Sequence, residues 1–482
     1  MTIPAPTAPV PRPAKPAPVA PPASANRAAA IRNALVFALC VLAPFLLQPQ
    51  SPIRNLDFWV PMASIGLIVL VWLSIHGLAA LRQRQEQIAL LSLVGVILLV
   101  AATRYLGALS LTPSRPPEIT LVLVGLIVAA GVAAAAGRAF SARATTAWVV
   151  IGALIAIFVV LKSDALATAA SALLRPLAGQ PADQARATDI GWLGYSYLAF
   201  RLIAVLRDRM TSARTLRPYG LSEFVVYALF APALLSGPID RADRFLKEWR
   251  APWSPSVAEV GEGARRVLIG LVKKLAIADT LALVALNADN AAQLRPGGWV
   301  WVMLYAYAFR IYFDFGGYTD IAIGLGRALG VKLPENFDRP YLKPNLTQFW
   351  NSWHMSLSHW FRGYWFNPLT RALRLREWSQ AAIVGVGQVS TMLLIGLWHG
   401  LTLNFVAWGA WHAAGLFVHN RFADWAKTRP LAGLFSERWA RARQLVGVAF
   451  TFHFVLLGWV WFALPTPYLA LRVFGLLAGA GR

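Results

Sequence analysis

The feature that most restricts the fold of this chain is a series of long stretches without a charged residue. Four of them lie within the first third of the 482 residues, at 33–49, 58–81, 119–137 and 145–161. Each approaches the roughly 17–25 apolar residues that an α-helix needs to cross a bilayer. Only 14% of all residues are charged, against about 25% in an ordinary soluble domain. The sequence therefore predicts an integral membrane protein.

We expect an all-α polytopic architecture with about eleven to twelve membrane-spanning helices, because the bilayer core offers no water to an unpaired backbone. Beyond residue 240 or so the regular alternation of apolar and basic stretches is lost. Short aromatic pieces interrupted by proline, such as 336–346, appear there instead. These pieces predict re-entrant or interfacial helices, which must be surrounded by protein or by a water-filled cavity.

The net charge of +23 at first raises the question of nucleic acid. Its Lys and Arg residues, however, punctuate the apolar stretches, as they do in the cytoplasmic loops of membrane proteins. We therefore predict no nucleic-acid partner, and a basic inner surface that attracts an acidic soluble protein. The lone Cys40 excludes a disulfide framework and a zinc site built on cysteines.

The composition divides the chain into three regions. Residues 1–30 are rich in Pro and Ala and contain no acid, which predicts a disordered tail. Arg12 and Lys15 place that tail, and so the N-terminus, on the cytoplasmic side. Residues 31–189 are predicted to form N-terminal transmembrane helices, and 190–482 the core that carries the function.

The stretch TQFWNSWHMSLSHWFRGYWF, residues 347–366, contains four Trp and two His. Two prolines precede it, and Asn345 is a favourable N-cap. A continuous helix from that cap places Trp350 and His354 on one aromatic side and His359 on the opposite side. An interfacial aromatic belt explains the Trp residues equally well. His354 is different, because a polar ring inside an aromatic face needs a partner or a function.

A second histidine, His399, lies within an apolar stretch. An ionisable residue at such a position is a functional-site hypothesis by default, although a buried structural histidine remains an alternative. Gly396 and Gly400 beside it form a GxxxG pattern, which allows close approach of another helix. Arg310 and Asp314, four residues apart, predict an ion pair that fixes helix positions.

The chemistry available to such a chain is limited. A serine nucleophile elbow, a phosphate-binding loop, an HExxH motif and a paired-carboxylate motif are all missing from the sequence. What remains is histidine acting as a general base on a hydroxyl in a low-dielectric tunnel, a contribution of about 10²–10⁴-fold. A covalent acyl-enzyme intermediate is an open alternative.

The motif FWNSWHMSLSHWFR at 349–362 and GLWHG at 396–400 resemble the membrane-bound O-acyltransferase family. LLSGPIDR, GLVKKLAIAD, FRIYFDFGGYTDIAIGLG, LPENFDRPY and TFHFVLLGWVWF resemble its bacterial branch and occur in the same order. The resemblance extends over residues 190–465, most of the hydrophobic body.

The resemblance implies a ring of helices around a central tunnel, with His399 catalytic and His354 close to it. It also leads us to predict a set of tunnel-lining residues: Trp350, Asn351, Trp353, Ser358, Trp398 and Asp314. Analogy and charge together predict a docking surface for the acyl donor, formed by Arg362, Arg371, Arg374 and Arg376.

Two bacterial subfamilies compete. SGPIDR and WHGLT are most similar to the D-alanyl transferase of teichoic-acid D-alanylation, whereas FDFGGYTDIAIGLG is more similar to the membrane subunit of alginate O-acetylation. Both imply a bacterial inner-membrane enzyme that passes a short acyl group to a hydroxyl of an envelope polymer or partner protein. The predicted donor is a phosphopantetheine thioester on an acidic carrier protein, or acyl-CoA, without a bound cofactor or metal. A second, extracytoplasmic acyltransferase partner and contact with membrane lipid are also predicted.

Two functions from other classes are alternatives. A haem-binding electron-transfer protein would use His399, His412 and His419, but 13 residues of helix turn the first two rings apart by about 220°. A transporter would fit the membrane body, but the sequence shows no internal repeat. The enzyme is the favoured interpretation.

Overall fold

A computed structural model describes residues 23–107, 110–139, 144–212, 218–253, 256–427 and 439–480. These residues form helices and connecting loops, and none of them lies in a β-strand. The prediction of an all-α protein is therefore confirmed.

The helices of the first half of the chain are mostly long and apolar. They are α1 (Ala23–Leu47), α2 (Leu56–His76), α3 (Arg84–Ala102), α4 (Ile119–Ala139), α5 (Ala144–Lys162), α6 (Asp164–Leu177), α7 (Tyr195–Ser212), α8 (Leu221–Ala228) and α9 (Ala242–Trp249).

The second half mixes long helices with short ones. They are α10 (Val257–Leu271), α11 (Asp279–Ala282), α12 (Ala288–Gln293), α13 (Gly298–Ala328), α14 (Leu346–Trp350), α15 (Met355–Phe361), α16 (Asn367–Leu375), α17 (Gln380–His399), α18 (Leu403–Lys427), α19 (Ala440–Ala463) and α20 (Pro467–Leu477). Two π-helical segments, Val272–Ala278 and Arg362–Phe366, precede α11 and α16.

Within the described residues, seven helices are long and apolar enough to cross a membrane: α1 to α5, α17 and α19. The protein is thus a multi-pass membrane protein. Helices α13 and α18, with 31 and 25 residues, also exceed the roughly 20 residues needed for a span. The larger total of eleven to twelve spans stays a prediction.

Helix α1 begins at Ala23, seven residues before the predicted end of the disordered tail at residue 30. Residues 23–30 consist largely of alanine, the best helix former, so the helix extends back beyond the apolar stretch. Residues 1–22 lie outside the described residues, and the disordered tail stays a prediction.

Two hydrophobic cores organise these helices. The first, called here the N-terminal core, is formed mainly by α1 to α3, α5 and α7 to α9 and is rich in Leu, Val and Ile. The second, the C-terminal core, is formed mainly by α13 to α15 and α17 to α20. Its buried centre is aromatic, with Trp350, Trp353, Trp408 and Trp459 in contact with one another or with neighbouring rings.

Helices in the second half approach one another through glycines. A Cβ atom on Gly270 of α10 would lie 2.6 Å from the carbonyl oxygen of Gly317 in α13. A Cβ atom on Gly396 of α17 would overlap the carbonyl oxygen of Phe405 in α18. Small residues permit such close helix pairs in membranes. The GxxxG prediction at Gly396 and Gly400 is confirmed, since Gly400 also lies against the Phe405 ring.

Candidate functional site

The sequence predicts one continuous helix for the aromatic stretch, and this prediction is wrong. The stretch forms two short helices with a break between them. Asn345 does cap the first one, because its side chain accepts a hydrogen bond from the backbone N–H of Gln348 at 2.9 Å. Helix α14 then ends at Trp350, and α15 begins only at Met355. The positions of the side chains after Trp350 therefore do not follow the 100° steps of a single helix.

The break has a long-range cause. Asn336, fully buried in the loop before α14, accepts a hydrogen bond from the backbone N–H of Met355 through its carbonyl. Its side-chain oxygen accepts another from the N–H of Ser356 at 3.2 Å. The Ser356 hydroxyl in turn accepts from the N–H of Ile239, in the LLSGPIDR segment. Two distant loops thus provide hydrogen-bond partners for the backbone N–H groups and the serine hydroxyl at the start of α15. With these partners in place, α14 does not continue into α15.

His354 lies in this break with φ 42° and ψ 54°, in the left-handed region that few residues other than glycine adopt. Its side chain is buried and contacts the ring of Phe315, at 4.6 Å between centroids, and that of Trp398 at 6.0 Å. Among the described residues neither ring nitrogen has a hydrogen-bond partner. Buried polar atoms are normally paired, so this ring is available to a ligand.

His399 is the last residue of α17, and not a residue in the middle of a span as its sequence surroundings suggest. The extended backbone of Gly400 ends the helix there. Its partly buried imidazole is surrounded by rings: Trp398 at 4.5 Å, Phe462 at 4.7 Å and Trp408 at 5.5 Å between centroids.

The indole of Trp398 brings the two predicted histidines together, because it contacts the imidazole of His354 and that of His399. Its own N–H has no partner among the described residues. One predicted tunnel residue thus lies between the two predicted catalytic ones, although they are 45 residues apart in the sequence.

A cavity of about 190 Å³ opens beside α17 and contains four of the predicted residues in its lining: Trp350, Asn351, Ser358 and Arg362. The side chains of Asn351 and Arg362 are exposed and hydrogen-bonded to each other. Ile395, one helical turn before His399, lines the same cavity. The cavity therefore has a polar rim, but His354, Trp398 and His399 are not part of its lining, and Trp398 instead lines a second, apolar cavity of about 510 Å³.

Trp353 and Asp314 lie elsewhere. Trp353 is buried against the ring of Trp459, at 5.1 Å between centroids, and is not part of the cavity lining. The carboxylate of Asp314 forms an ion pair with Lys274 at 2.8 Å, and not with Arg310 as predicted. The close packing of α13 against the π-helical segment that carries Lys274 explains this choice.

The predicted docking arginines are all exposed. Arg362 borders the cavity, whereas Arg371, Arg374 and Arg376 lie on or directly after α16. His359 is exposed as well, and its prediction as a residue outside the site is consistent with that position. Arg362 thus places a positive charge at the cavity, and the other three arginines add exposed positive charge on and directly after α16.

Two residues near the site were not predicted to belong to it. His412 is fully buried, contacts the rings of Trp350 and Trp408, and has no described partner for its ring nitrogens. Lys162 donates a hydrogen bond to the backbone carbonyl of His399 at 3.3 Å. The sequence showed His412 as a polar residue in an apolar stretch, but gave no signal that joins Lys162 to a residue 237 positions away.

No group of three or more His, Cys, Asp or Glu side chains that could hold a metal ion occurs in the described part of the chain. Most of the unpartnered buried polar atoms around the site are ring nitrogens: those of the histidines, which can accept or donate a proton, and the indole N–H groups, which can only donate. The side-chain oxygen of Gln388, in the cavity lining, is unpartnered as well. Such a set can bind and activate an uncharged organic group.

Comparison with known proteins gives a consistent result. The model of the membrane-bound O-acyltransferase family matches residues 119–464. The chain is 32% identical over 284 residues to the teichoic acid D-alanyltransferase of Bacillus subtilis, covering 57% of this chain and 69% of that protein. It is 34% identical over 295 residues to the probable alginate O-acetylase AlgI of Pseudomonas fluorescens, covering 60% and 54%.

A third relative, the peptidoglycan O-acetyltransferase of Helicobacter pylori, is 31% identical over 264 residues, covering 53% of this chain and 47% of that protein. The chain thus spans about half of the acetylating relatives and somewhat more of the D-alanylating one.

Proposed function

The chain belongs to the membrane-bound O-acyltransferase family, and from this membership we propose that it moves a short acyl group to a hydroxyl of a cell-envelope polymer or partner protein. The group, D-alanyl or acetyl, comes from a thioester on the cytoplasmic side. It reaches the acceptor through the membrane. The relatives that act on teichoic acid, alginate and peptidoglycan support transfer to an envelope polymer.

The observation that carries this proposal is the contact of both His354 and His399 with one indole, that of Trp398. The two imidazoles belong to segments that the sequence separates widely. The ring nitrogens of His354 have no described partner, and imidazole is the side chain most often used to transfer a proton in a reaction.

In the proposed step, an unprotonated ring nitrogen of His399 takes the proton of the acceptor hydroxyl while its oxygen attacks the thioester carbonyl carbon. A C–O bond forms and the C–S bond breaks. The leaving thiolate then takes the proton from the imidazolium, so that an ester and a thiol are the products. The ring of His354 orients the thioester and donates a hydrogen bond to its carbonyl oxygen, on which negative charge develops.

The donor enters through the cavity lined by Trp350, Asn351, Ser358 and Arg362. An acidic carrier protein docks on the adjacent basic surface of Arg362, Arg371, Arg374 and Arg376, because complementary charge steers such encounters. Phosphopantetheine on that carrier, or acyl-CoA, supplies the thioester. The donor side is cytoplasmic, the membrane is the bacterial inner membrane, and the N-terminus is cytoplasmic, in accordance with the distribution of basic residues.

The test is acyl transfer by the purified protein in lipid vesicles, with labelled D-alanyl-carrier protein, acetyl-carrier protein and acetyl-CoA offered separately. The His399→Ala variant is the control. Transfer from the D-alanyl donor alone would assign the enzyme to D-alanylation, and transfer from the acetyl donors alone would assign it to polysaccharide acetylation. Transfer from none of them by correctly inserted protein would contradict the proposal.

A further inference from the structure

Lys162 is the last residue of α5, in the part of the chain before the core predicted to carry the function. Its side chain is partly buried, and its ammonium nitrogen lies 5.9 Å from the centre of the Phe158 ring. The next residue, Ser163, caps α6 by accepting a hydrogen bond from the N–H of Leu166. The backbone around Lys162 is thus fixed by the end of one helix and the start of another.

The ammonium group of Lys162 points at the end of α17. It donates a hydrogen bond at 3.3 Å to the carbonyl oxygen of His399, the last residue of that helix. The last carbonyl groups of a helix have no partner within it, and the helix dipole makes this end negative. A cation at this position therefore stabilises the backbone of the residue that carries the proposed base.

The same ammonium has no carboxylate within ion-pair distance among the described residues. A positive charge at the edge of the membrane without such a partner is costly, and residues of this kind mark functional sites by default. The charged or titratable groups facing His399 are Lys162 from α5 and His354 from the break before α15. Its described contacts from α18 and α19 are aromatic rings.

We propose that Lys162 is a positioning residue of the acyl-transfer site: its ammonium group holds the backbone of His399 in place and opposes a second positive charge on that residue. A positive charge beside an imidazole opposes the binding of a proton. A general base must be unprotonated at the start of the step, so the lysine favours the reactive form. This inference rests on the proposed function, and it gives the N-terminal helices a part in the chemistry.

The experiment compares Lys162→Met, which keeps the length and removes the charge, with Lys162→Arg, which keeps both charge and donor. The exposed Lys332→Met is the matched control. Rates of acyl transfer in vesicles are measured from pH 5 to 9. In parallel, the modification of His399 by diethyl pyrocarbonate, which attacks only the neutral imidazole, is followed by mass spectrometry over the same range.

We expect Lys162→Met to lower kcat about tenfold, with the donor KM within about twofold of the original. The acid limb of its pH–rate profile and its modification curve both move to higher pH, by about half a pH unit. Lys162→Arg restores most of the rate and both curves. Lys332→Met changes neither.

Unchanged curves in Lys162→Met would overturn the inference, even if the rate fell, because a purely structural contact does not move a protonation midpoint. A loss that Lys162→Arg does not restore would overturn it too. If the original protein transferred no acyl group but its modification curve still moved in Lys162→Met, the proposed function would be wrong and the charge effect of Lys162 on His399 would stand.

Discussion

Most buried polar groups in the N-terminal half of the chain are hydrogen-bonded, with one nitrogen of Arg32 and the hydroxyl of Tyr219 among the exceptions, whereas many of those in the C-terminal core have no described partner. Asp57 accepts from the backbone N–H and the hydroxyl of Ser114, at 2.8 and 2.6 Å. Asp189 accepts from Ser171 and Arg175. In the C-terminal core, by contrast, the ring nitrogens of His354, Trp398 and their neighbours are buried without a described partner.

This difference distinguishes a structural region, whose buried polar groups are satisfied within the protein, from a candidate binding site, whose buried polar groups are not. A polar group whose bonds are satisfied within the protein stabilises one structure and cannot offer the same bonds to a ligand. An unsatisfied buried group costs stability until something binds to it. We therefore propose that the aromatic C-terminal core keeps its hydrogen-bonding capacity for a ligand, whereas the buried ion pairs of the N-terminal half stabilise the fold.

The largest effect is expected from the proposed base. His399→Ala should lower the rate of acyl transfer by about 10²–10⁴-fold, because the acceptor hydroxyl loses its proton acceptor. The amount of inserted protein and its melting temperature should change little. The exposed His359→Ala is the matched control and should keep full activity. A His399→Ala protein with the original rate would remove this residue from the site.

His354→Ala should lower the rate by about 10²-fold, since a hydrogen-bond donor to the thioester carbonyl is lost. The backbone at this position is held by the hydrogen bonds from Met355 and Ser356 to Asn336, which do not involve the side chain of His354. We therefore expect the fold to persist. Turnover equal to that of the original protein would show that His354 belongs to an aromatic belt and has no catalytic role.

In the N-terminal half the expected effect is on stability. Asp189→Asn should lower the free energy of unfolding by about 3 kcal/mol, because it leaves the buried guanidinium of Arg175 without its counter-charge. Thermal melts in detergent measure this. Asp183→Asn, at an exposed position nearby, should have no effect. The rate per folded molecule should be unchanged in both.

The same carboxylate predicts a pH dependence. Burial would raise the pKa of Asp189, but hydrogen bonds from Ser171, from the Arg186 backbone and from Arg175 outweigh it and hold this pKa below its usual value. A carboxylate with a depressed pKa contributes stability above its unfolded pKa, and the contribution is lost as the pH falls through the folded one. The stability difference between the original protein and Asp189→Asn should therefore shrink below about pH 4.

Gly396→Ala tests how the site depends on close helix packing. The added methyl group overlaps the Phe405 carbonyl, so α17 and α18 must separate, at a cost of about 1–3 kcal/mol. Because His399 lies at the end of α17, activity should fall together with stability. Gly152→Ala, with open space around its Cβ position, should leave both unchanged. Equal behaviour of the two variants would contradict the packing argument.

The smallest effect is expected at the basic surface. Arg374→Glu should raise the KM for a carrier-protein donor a few-fold, and the difference should disappear at high salt, because exposed charges are screened. Arg374→Lys keeps the charge and should behave as the original. A KM that does not respond to either the substitution or the salt would place the carrier elsewhere.

The sequence predicted those features that local pattern controls. Charge-free stretches predicted the apolar helices, Asn345 was recognised as a cap, and Gly396 as a close helix contact. Features that depend on distant partners were missed. The break that contains His354 depends on hydrogen bonds with Asn336 and Ile239. The ion-pair partner of Asp314 is Lys274. Lys162 contacts His399, which is 237 positions away in the sequence. Nothing in a local window indicates those contacts.

The most direct test of the contrast is one measurement on two variants, His399→Ala and Asp189→Asn, reconstituted together with the original protein and assayed for acyl transfer per folded molecule. We expect His399→Ala to be stable and inactive, and Asp189→Asn to be less stable and fully active. If Asp189→Asn lost its rate per folded molecule as His399→Ala does, or if His399→Ala stayed active, the division into scaffold and site would be wrong.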